Sequence, residues 1–393
     1  MTSLEIVPIA ASQIKTHGGK LKFSTLLESF RSLPPDQLAD VFHFLQNREG
    51  GAKKVFSNRV RSFLPSETFR FINGKEVIWD VPFPPIADPK FTFIDLFAGI
   101  GGMRIAFQKL NGQCVFSSEW DEQAKTTYRT NFGENPYGDI TKINESEIPK
   151  HDILVAGFPC QAFSIAGFKG GFEDTRGTLF FDVARIIKSR KPEAFLLENV
   201  KGLVGHDKGR TLEVILRTLR DDLGYFVPEP RVMNAQDFGV PQHRSRIYIV
   251  GQKSRRGGRT DFDWPEGKKS HKGIGPHVQK GVLNHSISKH LQKVYLFKKD
   301  DGRPQIIDAA SDFPVKTLVA SYHKIQRLTG TFVRDGETGI RLLTADECKA
   351  IMGFPKRFEI PVSRTQMYRQ MGNSVAVPVV TVLAKWIAED ILK

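Results

Sequence analysis

One of the three cysteines, Cys160, lies in Gly157-Phe-Pro-Cys-Gln161, directly after the apolar run Ile153-Leu-Val-Ala156. Pro159 fixes its own φ and biases Phe158 away from helix, so a strand ends and the chain turns where the thiol is presented. Two more polar clusters abut strand-like runs: Glu198-Asn-Val200 follows Phe195-Leu-Leu197, and Gln242-His-Arg-Ser-Arg246 precedes Ile247-Tyr-Ile-Val250. A thiol, a carboxylic acid and an arginine at one sheet edge suit a particular task. Carbon 5 of a cytosine ring is poorly nucleophilic until something adds across the 5,6 double bond. A thiolate can attack carbon 6, an acid near N3 can stabilise the charge that develops, and carbon 5 can then take a methyl from a sulfonium. A free thiol with a pKa near ~8.5 is only a few per cent thiolate at neutral pH, so a helix N-terminus or a cation is expected beside it.

A second group of residues suits a nucleoside cofactor. Asp95-Leu-Phe-Ala-Gly-Ile-Gly-Gly102 lies between a predicted strand and a predicted helix, where Gly99 and Gly101 let backbone N–H groups approach a ligand. The spacing is not the G-x-G-x-x-G of dinucleotide enzymes. Glu119 falls 20 residues beyond Gly99, where an acid can accept from ribose hydroxyls, and Trp120 offers a flat face for adenine. Asp139 and Ile140, read as following a third strand, could meet the adenine amine and its opposite face.

The elements that must position these groups follow from periodicity. Phe91–Phe97, Cys114–Ser118, Ile153–Ala156, Ala194–Leu197 and Ile247–Val250 read as strands. Arg104–Leu110, Glu122–Phe132, Leu179–Arg190 and Leu212–Leu223 read as the helices between them. Strands alternating with helices predict an α/β fold with a doubly wound, mainly parallel sheet, and such sheets bind ligands at strand carboxyl ends. Residues 1–88 read as a mostly helical N-terminal extension, with a helix after Pro34-Pro35 expected to pair with one over Phe23–Leu33. Lys53, Lys54, Arg59 and Arg61 there could form a basic amphipathic segment, and Val81-Pro-Phe-Pro-Pro85 reads as a stiff linker. Residues 89–251 form the catalytic and cofactor-binding domain and 252–340 an irregular insert. Residues 341–393 regain regular structure, with helices over Thr344–Met352 and Val379–Leu392, and return to the catalytic domain.

The formal charge of +14 suggests a polyanionic partner. Between Gly251 and Ile340 there are 17 Lys/Arg against 9 Asp/Glu, so more than half of the excess lies in under a quarter of the chain. Three widely spaced cysteines make no disulfide framework, which points to a reducing compartment. No secretory signal and no run of 18 apolar residues is present, so no membrane association is expected. The histidines of the insert (His271, His277, His285, His290, His323) lack metal-ligand spacing, and no metal is expected.

In this order, Phe93-Ile-Asp-Leu-Phe-Ala-Gly-Ile-Gly-Gly102, Gly157-Phe-Pro-Cys-Gln-Ala-Phe-Ser164, Glu198-Asn-Val200, Gln242-His-Arg-Ser-Arg246, Arg341-Leu-Leu-Thr344 with Gly353-Phe-Pro355, and Gln370-Met-Gly-Asn-Ser-Val375 resemble the bacterial DNA (cytosine-5)-methyltransferase family over residues 91–393. The resemblance implies a Rossmann-like, S-adenosylmethionine-dependent enzyme of a restriction-modification system. It assigns Cys160 as nucleophile, Glu198 as the acid at N3, Arg246 as a ligand of the cytosine carbonyl, and Arg244 as support for that pocket or a contact to the DNA backbone. Phe97, Gly99, Gly101, Glu119, Trp120, Asp139, Ile140 and Leu179 would hold the cofactor, completed by Asn373 and Ser374 from the far C-terminus.

Residues 161–178 contain four glycines and read as a lid closing over a flipped-out base. Gln161, Ser164 and Lys169 there are candidate DNA contacts. Residues 252–340 match the family's target-recognition region in position and in Lys316-Thr-Leu318 alone, with Arg255, Arg256, Thr317 and Leu318 as candidate DNA contacts; Arg259 is a further basic candidate. The expected partner is double-stranded DNA carrying a short specific site, the expected form a cytoplasmic, nucleoid-associated bacterial monomer with a separately encoded endonuclease. Two rivals are a tRNA cytosine-5 methyltransferase on the same fold and a transcriptional regulator acting through residues 1–88 as an added role.

Overall fold

The computed structural model describes residues 9–47, 50–159, 179–253, 263–268 and 272–391. The leader comes first in the chain. Its strands β1 (Thr16–His17), β2 (Lys20–Lys22) and β3 (Val77–Ile78) form one sheet, accompanied by helices α1 (Phe23–Ser29), α2 (Pro35–Gln46), α3 (Gly50–Phe63) and α4 (Ser66–Asn73). Pro35 at the first turn and Asp36 beside it start α2, and Leu38, Val41, Phe42 and Leu45, spaced i, i+3, i+4, i+7, are buried. The helix over Phe23–Leu33 is shorter than expected. Phe23 does meet Phe42 edge-on at 5.0 Å, but α2 packs along α3.

The central sheet has the strand order β5-β4-β6-β7-β10-β8, with β9 also on β10. Its strands are β4 (Phe91–Leu96), β5 (Gly112–Ser118), β6 (Ile153–Gly157), β7 (Ala194–Val200), β8 (Tyr225–Phe226), β9 (Arg231–Asn234) and β10 (Ser245–Lys253). β4 to β7 run parallel, while β10 is antiparallel to β7, β8 and β9. The chain goes from β4 outward to β5 and then crosses back to β6, so the topological switch point lies between β4 and β6, where ligands of such sheets sit.

Helices α5 (Gly102–Gln108), α6 (Glu122–Phe132), α7 (Leu179–Arg190) and α8 (Arg210–Arg217) follow the strands. Asp121 caps α6 by accepting from the Gln123 and Ala124 N–H groups, and Gly133 ends it at φ +66°. Both sheet faces are covered. Ile153 and Val155 of β6 join α5 and the last helix on one side; Leu154 and Ala156 join α7 and the leader on the other. The leader thus shares a core with the sheet. Val81–Pro85 is no free spacer, because Phe83 is buried 5.6 Å from the Phe132 ring and donates its N–H to Asn131 O at 2.9 Å.

The insert is short-stranded, as its composition suggests: α9 (Lys289–Leu291) and the parallel pair β11 (Gln305–Ile307) and β12 (Thr331–Val333) are embedded in irregular chain. After it come α10 (Ala345–Met352), α11 (Arg364–Asn373) and α12 (Val377–Trp386). Thr344 and Glu347 form a capping box on α10, and Gly353 closes it at φ +73°. α10 and α11 share a core with the insert through Tyr322, Phe332 and Tyr368, whereas α12 packs on the sheet against α5.

Candidate active site at the carboxyl edge of the sheet

Glu198, two residues before the end of β7, is in register with Gly157 at the end of β6, so the acid stands beside the strand from which the Phe158-Pro159 turn departs. A Cβ placed on Gly157 would lie 3.6 Å from Glu198 Oε2. Asn199 pins the turn by donating from Nδ2 to Phe158 O at 2.9 Å. Across the sheet Arg246 Nε lies 3.2 Å from Glu198 Oε1, and the Arg246 Nη1 donates to Ser245 O at 2.9 Å. Burial raises the Glu198 carboxyl above its ordinary range, and the charges of Arg246 and then Arg244 pull partly against that. A carboxyl raised by burial holds its proton to higher pH than an exposed one and so can serve as a proton donor.

Of the two expected roles of Arg244, support of the pocket and contact with the DNA backbone, its bonds fit the first. It is 2% exposed and donates from Nη1 to Leu318 O at 3.0 Å and from Nη2 to Gly372 O at 3.0 Å and Ser374 O at 2.5 Å. Burial, with Arg246 adding to it, pushes its guanidinium down to about 9. It is a clamp joining β10, the insert and the end of α11, with none of its described bonds directed at the DNA backbone. Leu318 is likewise buried, with its N–H on Gln242 Oε1 at 2.8 Å, so its side chain is not presented to a groove. Thr317 is partly exposed and donates through its hydroxyl to His243 O. Gln242 also donates to Ile351 O at 2.8 Å. Asn199 and Gln242 carry no role in the sequence reading although both lie in its motifs; their bonds show them to be the pins of the edge.

At the other end of the edge, Phe97 at φ +55° and Gly101 at φ +84° shape the loop after β4. Gly99 N–H donates to Glu119 Oε2 at 2.8 Å and Asp121 N–H to Glu119 Oε1 at 2.8 Å. Each oxygen keeps a lone pair for a further donor. Burial raises the Glu119 carboxyl, and these two backbone bonds oppose it. Trp120 is 76% exposed beside it, an open aromatic face. Asp139 follows no third strand; Tyr137 makes a single bridge to Ser118, and Asp139 caps a short turn by accepting from Thr141 N–H at 3.0 Å. Ile140 is buried, Leu179 opens α7 partly exposed, and Asn373 is exposed at the end of α11. Ser374 reaches the loop: a Cβ on Gly102 would lie 2.8 Å from its Oγ. The glycine loop, Glu119 and Ser374 thus come together at the carboxyl end of β4, two strands from Glu198. Cys160, Gln161, Ser164, Lys169, Arg255, Arg256 and Arg259, and the lid 161–178, lie outside the described residues.

A family profile described as C-5 cytosine-specific DNA methylase matches residues 91–389. The chain belongs to that family. The methylase is 58% identical over 299 residues to Type II methyltransferase M.MspI of a Moraxella species, across 76% of this chain and 70% of the relative. It is 50% identical over 338 residues to Type II methyltransferase M.HpaII of Haemophilus parainfluenzae, across 79% of this chain and 93% of that one. Among solved structures, the Entamoeba histolytica methyltransferase EhMeth superposes with a TM-score of 0.61 at 20% identity, covering 78% of this chain and 100% of that one. That likeness shows the fold. The enzyme methylates carbon 5 of cytosine in double-stranded DNA with S-adenosylmethionine as donor, and the DNA-methylase match sets the tRNA rival aside.

The glycine loop, the half-free Glu119 carboxylate and the open Trp120 face fit such a nucleoside cofactor. In the leader, one of the four expected basic residues is committed inward: Arg59 donates to Asp40 at 3.2 Å, Tyr137 OH at 3.0 Å and Glu147 O at 2.6 Å, while Lys54 and Arg61 are exposed.

Proposed function

We propose that the methylase modifies a cytosine within one short duplex sequence as part of a bacterial restriction-modification system, acting as a monomer in the cytoplasm, at the nucleoid, beside a separately encoded endonuclease. The relatives named as Type II methyltransferases support this reading. Glu119, Trp120, Asp139, Ile140, Phe97, Gly99, Gly101, Leu179, Asn373 and Ser374 would hold the cofactor, which supplies the methyl group from its sulfonium. Glu198 holds a proton toward N3 of the flipped base, and Arg246 binds the carbonyl oxygen. Cys160 Sγ forms a bond to carbon 6 and lends its electron pair to carbon 5. Once carbon 5 is methylated, loss of its proton restores the double bond and expels the thiolate.

The observation carrying the proposal is the ion pair of buried Glu198 with Arg246, with Glu198 in register with the strand that leads into Phe158-Pro159-Cys160. The test is transfer of labelled methyl to duplex DNA: Cys160→Ser should abolish it while cofactor binding stays near wild type. Unchanged turnover would refute the mechanism. Sequencing bisulfite-treated DNA from expressing cells would reveal the recognition site, and scattered modification without a common sequence would refute the specificity. DNA affinity should fall steeply with salt, since phosphate contacts release counterions.

A further inference from the structure

The helices that follow the two cofactor loops are tied together at one buried node, and the leader supplies part of it. Arg104, at the third position of α5, is 1% exposed. Its Nη1 donates to Glu134 Oε2 at 2.6 Å and to Tyr128 OH at 2.9 Å on α6, and its guanidinium lies 4.6 Å from the centre of the Phe132 ring. Its Nη2 donates to Gln46 Oε1 at 3.3 Å, at the end of leader helix α2. The amide of the same Gln46 donates to Phe132 O at 2.9 Å and Gly133 O at 3.2 Å, the last carbonyls of α6. The other oxygen of Glu134 accepts from the Ser117 hydroxyl and lies 2.9 Å from His43 Nε2, again on α2. Ser117 stands two residues before Glu119 on β5.

A guanidinium and a carboxylate removed from water this completely are tolerated only when their donors and acceptors are satisfied. The strong attraction of Arg104 and His43 holds the Glu134 carboxyl down at about 2 despite its burial. His43 and Gln46 are both buried, and both lie outside the family match that begins at residue 91. A leader that merely covered an apolar face would be served by leucine at these two positions. Instead both side chains address the node that sets α5 against α6.

We propose that His43 and Gln46 are positioning residues for the S-adenosylmethionine site: by tying α5 to α6 they hold the Gly99–Gly101 loop and Glu119 at the separation the cofactor requires. The proposal rests on the reading of that loop and Glu119 as the cofactor's seat. It gives a segment outside the shared family region a defined effect on the shared chemistry, through affinity for the cofactor and not through contact with DNA.

The experiment uses the full chain and separates the two substrates kinetically. Gln46→Ala should raise the KM for S-adenosylmethionine about five- to twentyfold, with the KM for duplex DNA and kcat within about twofold of wild type. The control is Thr68→Val. Thr68 is buried within the leader and donates to Ile9 O at 2.5 Å, remote in sequence and bonding from the node. It should lower the unfolding temperature and leave the cofactor KM unchanged. A normal cofactor KM in Gln46→Ala overturns the proposal. So does a parallel rise of both KM values, or an equal rise in Thr68→Val, since either reduces the effect to lost stability. Should Gln46→Ala fail to fold, His43→Gln, which keeps a polar side chain at the node, is read by the same criterion. Glu119→Ala separates the layers: if it binds S-adenosylmethionine normally the seat itself is misplaced, whereas weak binding there with normal binding in Gln46→Ala sinks only the leader's role.

Discussion

Glu198 Oε1 lies 3.2 Å from Arg246 Nε on the neighbouring antiparallel strand, and burial keeps the carboxyl above its ordinary range while that guanidinium pulls it down. The pair therefore sets where the acid titrates. An acid that donates toward N3 works in its protonated form, so activity falls as pH rises through its pKa. Removing the nearest positive charge moves that pKa further up. Arg246→Leu should shift the descending limb of the kcat/KM profile to higher pH, whatever it costs in absolute rate. A limb that stays in place or moves down would show that another group sets it.

Glu198→Gln removes the proton but keeps the shape. The rate at the pH optimum should drop about 10²- to 10⁴-fold, with cofactor binding unchanged. Single-turnover methyl transfer measures this directly, and a loss below tenfold would remove Glu198 from the chemistry.

Arg244 instead carries a structural load. Its guanidinium bonds three backbone carbonyls from two distant segments, so Arg244→Leu leaves the oxygens of Leu318, Gly372 and Ser374 without a donor. The expected loss is about 2–4 kcal/mol of unfolding free energy, read by denaturant titration. A variant of wild-type stability but without activity would show that Arg244 acts on the chemistry and not only on the fold.

The contrast between Arg244 and Arg246 marks what could be read from the sequence. α6 and α7 are found at their expected bounds, α6 because Asp121 and Gly133 supply local start and stop signals. The ligand edge was legible too, because strand ends attract polar clusters. The fate of Arg244 was not, since its carbonyl partners lie 74 to 130 residues away and leave no periodic trace beside it. Phe83 misleads for the same reason: three prolines in Val81–Pro85 suggest a spacer, yet the one aromatic ring among them finds Phe132 and Phe358. Arg59 reads as a surface cation until Asp40 and Tyr137 fold onto it.

Gly102 offers a steric test of the C-terminal return. A Cβ there would lie 2.8 Å from Ser374 Oγ and 2.9 Å from Val375 Cγ2, both nearer than real contacts allow. Gly102→Ala must displace the Ser374 and Val375 side chains at the start of α5. If that segment completes the cofactor site, the variant's affinity for S-adenosylmethionine should fall about tenfold or more, as titration calorimetry would show. Wild-type affinity would separate Ser374 from the cofactor.

Asp95, two residues before Phe97, is 1% exposed, and burial raises its carboxyl to about 8, with Arg104 opposing and Glu134 and Glu119 reinforcing the rise. The folded protein thus holds a proton that the unfolded chain releases near pH 4. The sign follows from linkage. A carboxyl raised in the folded state contributes stability that is present below its unfolded pKa and lost as pH climbs toward 8, at no more than about 1.4 kcal/mol per pH unit. Asp95→Asn keeps an acceptor for the Arg104 backbone N–H that bonds this carboxyl and removes the titration. Its unfolding free energy should match that of wild type below about pH 4 and exceed it increasingly from there toward pH 8. Denaturant titrations at several pH values measure the difference, and a constant difference across that range would show that Asp95 is ionised in the fold.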